Sequence, residues 1–259
     1  MALLQDHKGL VFGVANDRSI AWHVASHLMA EGATCGFAHL PGDKMERRVR
    51  RTLEAANVHD AWLCPCDAAK DDDLDRVFEQ AGKDFGSLDF VIHSIAFADR
   101  EYLRIGAFAD TPREVFTQAC DISAYTLIAM ANRAKDLMPN GGSIVAMSYY
   151  GAEKVIPGYN VMGVAKAALE ACARYLAFDL GERRIRVNTI SPGPIRTLSA
   201  MAVGGIDQVF DWVEKKAPLR RNIDADEVAK AALYLVSNLS TGVTGENIYV
   251  DAGFNVVGL

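Results

Sequence analysis

Tyr159 and Lys166 are the residues whose types and spacing most directly offer chemistry. They lie in the stretch Ser148 to Lys166, which follows the apolar run Ser143 to Met147. That run reads as a buried parallel strand. Pro157-Gly158 then breaks the backbone, and Val161 to Leu180 suits a helix. At about 100° per residue, seven steps return to within roughly 20° of the start, so a helix carrying both residues would point them from one face. A phenol and an ammonium so placed make an acid–base pair. Ordinary pKa values near ~10 and ~10.4 leave both protonated at neutral pH, and a nearby ammonium is expected to favour the phenolate, making Tyr159 a better proton donor. The same spacing also suits a tyrosine capping a core helix and a lysine in water.

A second pair, Tyr150 and Lys154, has the tighter Tyr-x-x-x-Lys spacing. Gly151 lies between them, Pro157 follows, and Tyr150 comes two residues after the strand end at Ser148, so no continuous helix is expected there.

The elements that must position these residues alternate along the chain. Strands are expected at Gly9–Val14, Ala33–Leu40, Ala61–Cys66, Leu88–Ser94, Ser143–Ser148, Arg186–Ser191 and Asn247–Asp251. Helical stripes separate them: Ile20–Glu31, a run carrying Met45, Val49 and Leu53, another carrying Leu74, Val77, Phe78, Ala81 and Phe85, a long helix over Pro112–Met138, and Ala225–Ser237. The stretch after Ser191 reads as a variable segment. Strict alternation predicts an α/β fold: one Rossmann-like, doubly wound parallel sheet of about seven strands over residues 1–259, with helices on both faces and ligands at the carboxyl ends of the strands.

With 259 residues, the chain can bury about three-quarters of its unfolded surface. Half of it is hydrophobic and 23% is charged, which excludes a disordered class. A net charge of −6 and a pI of about 5.5 argue against nucleic acid or an anionic membrane as partner. No apolar run reaches the roughly 18–20 residues of a membrane span, and Asp6, His7 and Lys8 interrupt any signal-like start. A cytoplasmic protein is expected. The five cysteines are scattered, Cys64-Pro65-Cys66 is not Cys-x-x-Cys, and no metal site is expected.

Several strand ends could hold a nucleotide. Gly13 to Ile20 is a strand-to-helix turn with one glycine; its helix N-terminus offers N–H groups to a pyrophosphate, and Ser19 offers a hydroxyl or merely an N-cap. Leu40 ends the second strand where a carboxylate would often meet the ribose 2′-hydroxyl; Lys44, Arg47 and Arg48 follow as a basic face or a solvated one. Asp67 and Ala68 end the third strand, where Asp67 suits an adenine amino group or a helix cap. His93-Ser94-Ile95-Ala96-Phe97-Ala98 ends the fourth. The turn Pro194-Ile195-Arg196-Thr197 after the sixth could hold a carboxamide and pyrophosphate.

Together these residues resemble the bacterial enoyl-(acyl-carrier-protein) reductases, divergent short-chain dehydrogenases with Tyr-x6-Lys in place of Tyr-x-x-x-Lys. The resemblance is most specific in Ser148–Lys166 and runs through Gly13…Ser19-Ile20, His93–Ala98, Asp121-Ile122-Ser123, Arg186-Val187-Asn188, Gly193–Leu198 and Val250–Phe254. It implies reduction of a trans-2-enoyl thioester on acyl carrier protein by NADH, with NADPH not excluded, in the last step of fatty-acid elongation. By the same resemblance Tyr159 serves the enolate oxygen, Lys166 the nicotinamide ribose, and Tyr149 and the Ala98 backbone the substrate. Gly13, Ser19, Ile20, Leu40, Asp67, Ala68, Ser94, Ile95, Ala96, Ile122 and the run Ile195, Thr197, Leu198 and Ser199 would line the cofactor. It further implies a homotetramer and a mobile substrate flap at about 197–213. Three positions depart from the family pattern: Leu40 where a polar residue is frequent, Ala96 where glycine is frequent, and an acidic flap with Asp207 and Asp211. Carrier docking would then fall to Lys215, Lys216, Arg220 or Arg221. A ketone or alcohol oxidoreductase of the same fold is the alternative, opposed by the Tyr-x6-Lys spacing and Tyr149; a non-catalytic dinucleotide-binding protein is opposed by retention of both Tyr159 and Lys166.

Overall fold

The computed structural model describes residues 2–198 and 200–258. Seven strands form one wholly parallel sheet: β1 (Lys8–Phe12), β2 (Thr34–His39), β3 (Trp62–Pro65), β4 (Phe90–His93), β5 (Gly142–Met147), β6 (Ile185–Pro192) and β7 (Asn247–Val250), in the order β3-β2-β1-β4-β5-β6-β7. The order turns back between β1 and β4, so the crevice lies where these two strands end.

Alternation of side chains across each strand builds two cores. Val11, Phe37, Phe90, Ile92, Val145 and Met147 face one side, where α1 (Ile20–Ala30), α2 (Asp43–Ala55) and α8 (Ala225–Val236) supply Leu28, Leu53 and Leu235. Leu10, Phe12, Val91, Ile144 and Ala146 face the other, against α3 (Asp71–Phe85), α5 (Thr126–Ala134) and α6 (Val161–Leu180). Strands buried on both faces explain the unbroken apolar runs in the sequence.

Three expectations need correction. The helix over Pro112–Met138 is not uniform: α4 (Arg113–Cys120) passes through a π-helical turn at Asp121–Tyr125 before α5 begins. That extra residue in the turn rotates Ile122 and Ser123 out of α-register, and Ser123 becomes fully buried. The variable segment contains α7 (Ile206–Lys216), which buries Ile206, Phe210 and Val213 at helical spacing after the Gly204-Gly205 pair. Tyr159 is not on the helix with Lys166. Asn160 adopts φ +45° and interrupts the backbone, so α6 starts at Val161. The Asn160 amide is held there by donating to the carbonyls of Tyr102 and Arg104, each at 2.7 Å.

Candidate active site

The ends of β1, β4, β5 and β6 open onto a cavity of about 410 Å³. Gly13, Ser19, Ile20, Ser94, Ile95, Ala96, Ala98, Tyr149, Tyr159, Lys166, Ile195, Thr197 and Leu198 all line it. Leu40, Asp67, Ala68 and Ile122 do not, and Ser199 lies outside the described residues. Leu40 is exposed just past β2. Asp67 is engaged locally, accepting from Ala69 N at 3.2 Å and pairing with Lys70. Ile122 sits in the π-helical turn, its carbonyl accepting from the Thr126 hydroxyl at 2.7 Å.

Local packing sets the tyrosines. Their rings meet edge to face, 4.8 Å between centroids at 68°. Gly151 makes room for this: a Cβ there would stand 2.4 Å from Cδ1 of Tyr159. Both rings are half-buried, with one edge left to the cavity. Burial pushes the Tyr149 phenol up to about 12. It raises Tyr159 further, with Tyr149 and Glu170 adding in the same direction. The expected sharpening of Tyr159 by Lys166 is therefore corrected: desolvation dominates, and the phenol remains a protonated hydrogen-bond donor well beyond neutral pH.

Lys166 is only 5% exposed. Among the described residues its ammonium donates once, to the Met147 carbonyl at 2.6 Å, which leaves donors for the cavity it lines. Burial pulls it down to about 8, opposed by Glu170. At neutral pH it is largely cationic.

The β1–α1 turn is tied by the Ser19 hydroxyl, which accepts from Ala15 N and Asn16 N, both at 3.0 Å. Ser19 occupies the N-cap position yet makes no side-chain bond to the helix; its carbonyl takes Trp22 N and His23 N, which leaves the N–H groups of Ile20 and Ala21 open among the described residues. Gly13 lets β1 and β4 meet closely; a Cβ there would lie 2.1 Å from the Ser94 carbonyl oxygen, and its φ is +108°. A helix N-terminus with two open N–H groups, in one cavity with a buried ammonium, suits a pyrophosphate and adjacent ribose hydroxyls. That donor set fits a dinucleotide. No group of three His, Cys, Asp or Glu among the described residues could hold a metal.

Several contributors escaped sequence reasoning. Ser123 accepts from Phe97 N at 3.0 Å and so fixes the loop after β4. His93 is fully buried, with Nε2 2.8 Å from the Thr126 hydroxyl. Since that hydroxyl already donates to Ile122, His93 donates through Nε2 and carries its lone pair on Nδ1. Burial, with Lys166 nearby, lowers His93 to about 3, so it is neutral. Met162 and Glu170, one turn on either side of Lys166, carried a signal: spacing of four on α6. Leu103, Ile156 and Val203 come from irregular turns and carried none. Tyr150 and Lys154 do not form a pair on a helix; Tyr150–Ala152 is one 3₁₀ turn, and the Tyr150 hydroxyl donates to the Asn255 carbonyl at 3.3 Å.

A doubly wound parallel sheet with a tyrosine, a buried lysine and an open helix N-terminus at its crevice defines a nicotinamide-dependent oxidoreductase of the short-chain dehydrogenase type. The family described as "Enoyl-(Acyl carrier protein) reductase" matches residues 13–255. The enoyl-(acyl-carrier-protein) reductase [NADPH] FabI of Staphylococcus aureus is 50% identical over 99% of this chain and its own full length. The [NADH] FabI of Bacillus cereus is 46% identical, with both chains wholly covered. A crystal structure of the Bacillus cereus reductase, with NADP+ and indole naphthyridinone, superimposes with a TM-score of 0.96 at 47% identity over the whole of both chains. The chain belongs to the enoyl-(acyl-carrier-protein) reductase family.

Proposed function

We propose that the protein reduces the carbon–carbon double bond of trans-2-enoyl thioesters carried on acyl carrier protein, in the last step of the fatty-acid elongation cycle. The observation that carries this reading is the convergence of Tyr149, Tyr159 and Lys166 on one cavity beside an open helix N-terminus. A reduced dinucleotide held in this cavity would supply the hydride for Cβ of the enoyl chain. Charge then builds on the thioester carbonyl oxygen, and Tyr159 donates a hydrogen bond to it. Such a donor is typically worth about 2.7–4 kcal/mol of barrier. Cα takes a proton from water, directly or relayed through the Tyr159 hydroxyl, completing the saturated acyl chain. Tyr149 fixes the Tyr159 ring by edge contact and closes the substrate side, where the Ala98 backbone stands. Lys166 would hold the ribose hydroxyls and the Ser19–Ile20 turn the pyrophosphate, with Ile95, Ile195, Thr197 and Leu198 of the cavity lining beside them.

NADH is the proposed donor. Relatives named for NADH and for NADPH stand at similar identity. In this chain Leu40 offers a 2′-phosphate no charge, and the Arg47 guanidinium is turned to the Asp43 carbonyl, 3.1 Å away. Residues 197–213 form the substrate flap: Val203 and Ile206 line the cavity, and Arg196 ties the segment through Asp207 and the Phe210 ring. A homotetramer accords with the exposed Tyr175 and Phe178 of α6, at 76% and 85%, and with β7 paired on one side only. No helix among the described residues is long and apolar enough to cross a membrane, in keeping with work in the cytoplasm.

Deuterium-labelled reduced dinucleotide and a crotonyl thioester test the reaction. The label should appear at Cβ of the saturated product. Reduction of ketones with no enoyl turnover would refute the assignment.

A further inference from the structure

One turn beyond Lys166 on α6, Glu170 is 7% exposed, a buried carboxylate without a part in the chemistry above. Its Oε1 accepts the Ser148 hydroxyl at 2.5 Å and Asn247 Nδ2 at 3.2 Å. An amide nitrogen can only donate, so the oxygen on which both groups converge is an acceptor, and both donors favour the ionised carboxylate. Ser148 directly follows Met147, whose carbonyl receives the Lys166 ammonium. The end of β5, the first half of α6 and the edge strand β7 are thereby joined around one buried ammonium and one buried carboxyl group.

We propose that Glu170 is the buried counter-charge of Lys166 and a positioning residue for its ammonium, acting through the Ser148–Met147 strand end rather than on substrate. The inference rests on Lys166 being a cofactor-binding residue. A buried cation facing only neutral groups is costly, and the surroundings of Lys166 are otherwise neutral. His93 on β4 is buried and uncharged, and Tyr159 and Tyr249 are protonated. Glu153 is exposed and bound by the Tyr249 hydroxyl. Burial raises the Glu170 carboxyl, and Glu153 adds to this; the Ser148 bond, Arg174 and Lys166 pull it back. Asn247, from a different strand, holds the carboxyl group from the side of β7.

The test is dinucleotide affinity followed by fluorescence from neutral to alkaline pH. Wild-type binding should weaken as pH rises through about 8, where Lys166 loses its proton. Glu170→Gln keeps the acceptor oxygen and removes the charge, so its midpoint should fall by roughly one pH unit, the order expected for opposite charges four residues apart on one buried helix face. Glu170→Asp should bring the midpoint back toward wild type. A Glu170→Gln curve that overlays the wild-type curve overturns the proposal. If that variant does not fold, Asn247→Leu strips one donor from the carboxylate and should move the midpoint in the same direction; an unmoved midpoint has the same force. Lys166→Met separates the two claims. Weakened binding in Lys166→Met with no shift in Glu170→Gln overturns the Glu170 role alone, whereas full binding in Lys166→Met overturns both.

Discussion

Replacing Gly151 by alanine would set a methyl carbon 2.4 Å from Cδ1 and 2.9 Å from Cε1 of Tyr159, and 3.3 Å from Cδ1 of Tyr149. Carbon atoms in contact normally sit about 3.5–4.0 Å apart, so the Tyr159 ring must retreat by about 1 Å. Gly151 is not among the residues of positive φ, so alanine meets no backbone strain of its own. The damage therefore falls on the ring. A displacement of this size in a positioned group costs on the order of 100-fold in rate, and complete loss of the hydrogen bond to the developing oxyanion about 100- to 1,000-fold. Overpacking of a half-buried site adds roughly 1–3 kcal/mol of lost stability, which leaves a folded enzyme at room temperature. Gly151 does not line the cavity, so dinucleotide affinity should stay near wild type. Steady-state turnover with crotonyl thioester, read beside a dinucleotide binding curve, measures both effects. A kcat within about threefold of wild type would refute the claim that the Tyr159 position is set by Gly151.

Acid should act on the fold through His93. Its folded pKa of about 3 lies below the ordinary histidine value of 6.5, so the unfolded chain binds the proton first and stability falls as pH drops through that window. Between pH ~6.5 and ~4 the loss is about 3 kcal/mol from this residue. Urea melts of wild type and His93→Gln at the two pH values should show a smaller drop in the variant; equal drops would contradict the assignment. Ser123→Ala removes the acceptor for Phe97 N and should cost about 1–3 kcal/mol, seen as a lower melting temperature, with faster hydrogen exchange in the loop after β4. Lys166→Met removes a buried cation held at about 8. In the absence of dinucleotide the variant should melt higher than wild type at neutral pH, and the gap should close as pH rises past about 10, where the unfolded lysine also loses its proton.

The sheet was legible because its strands are buried on both faces: Leu10-Val11-Phe12 and Phe90-Val91-Ile92 are apolar throughout, and helical stripes between them leave little alternative to parallel winding. α6 was legible from Val161 to Leu180 for the same reason, its core stripe being continuous. What the periodicity hid is where it breaks. Asn160 at positive φ and the π-helical turn at Asp121–Tyr125 are held by contacts distant in sequence, Asn160 by Tyr102 and Arg104 and the turn's Ser123 by Phe97. That Tyr159 and Lys166 meet at one cavity was readable from residue type and family resemblance, but the sign of the Tyr159 shift was not, because it depends on how tightly Tyr149 and Gly151 close over the ring. α7 was readable from Ile206, Phe210 and Val213 once Gly204-Gly205 is taken as its start.

Tyr159→Phe tests the central claim most directly. It removes one hydroxyl and keeps the ring that packs on Tyr149 and Gly151. With a crotonyl thioester and excess NADH, the near-ultraviolet absorbance of the reduced nicotinamide should decay about 100- to 1,000-fold more slowly than with wild type, while the dinucleotide dissociation constant stays unchanged. Wild-type turnover in Tyr159→Phe would contradict the account, because the oxyanion would then be served by another group.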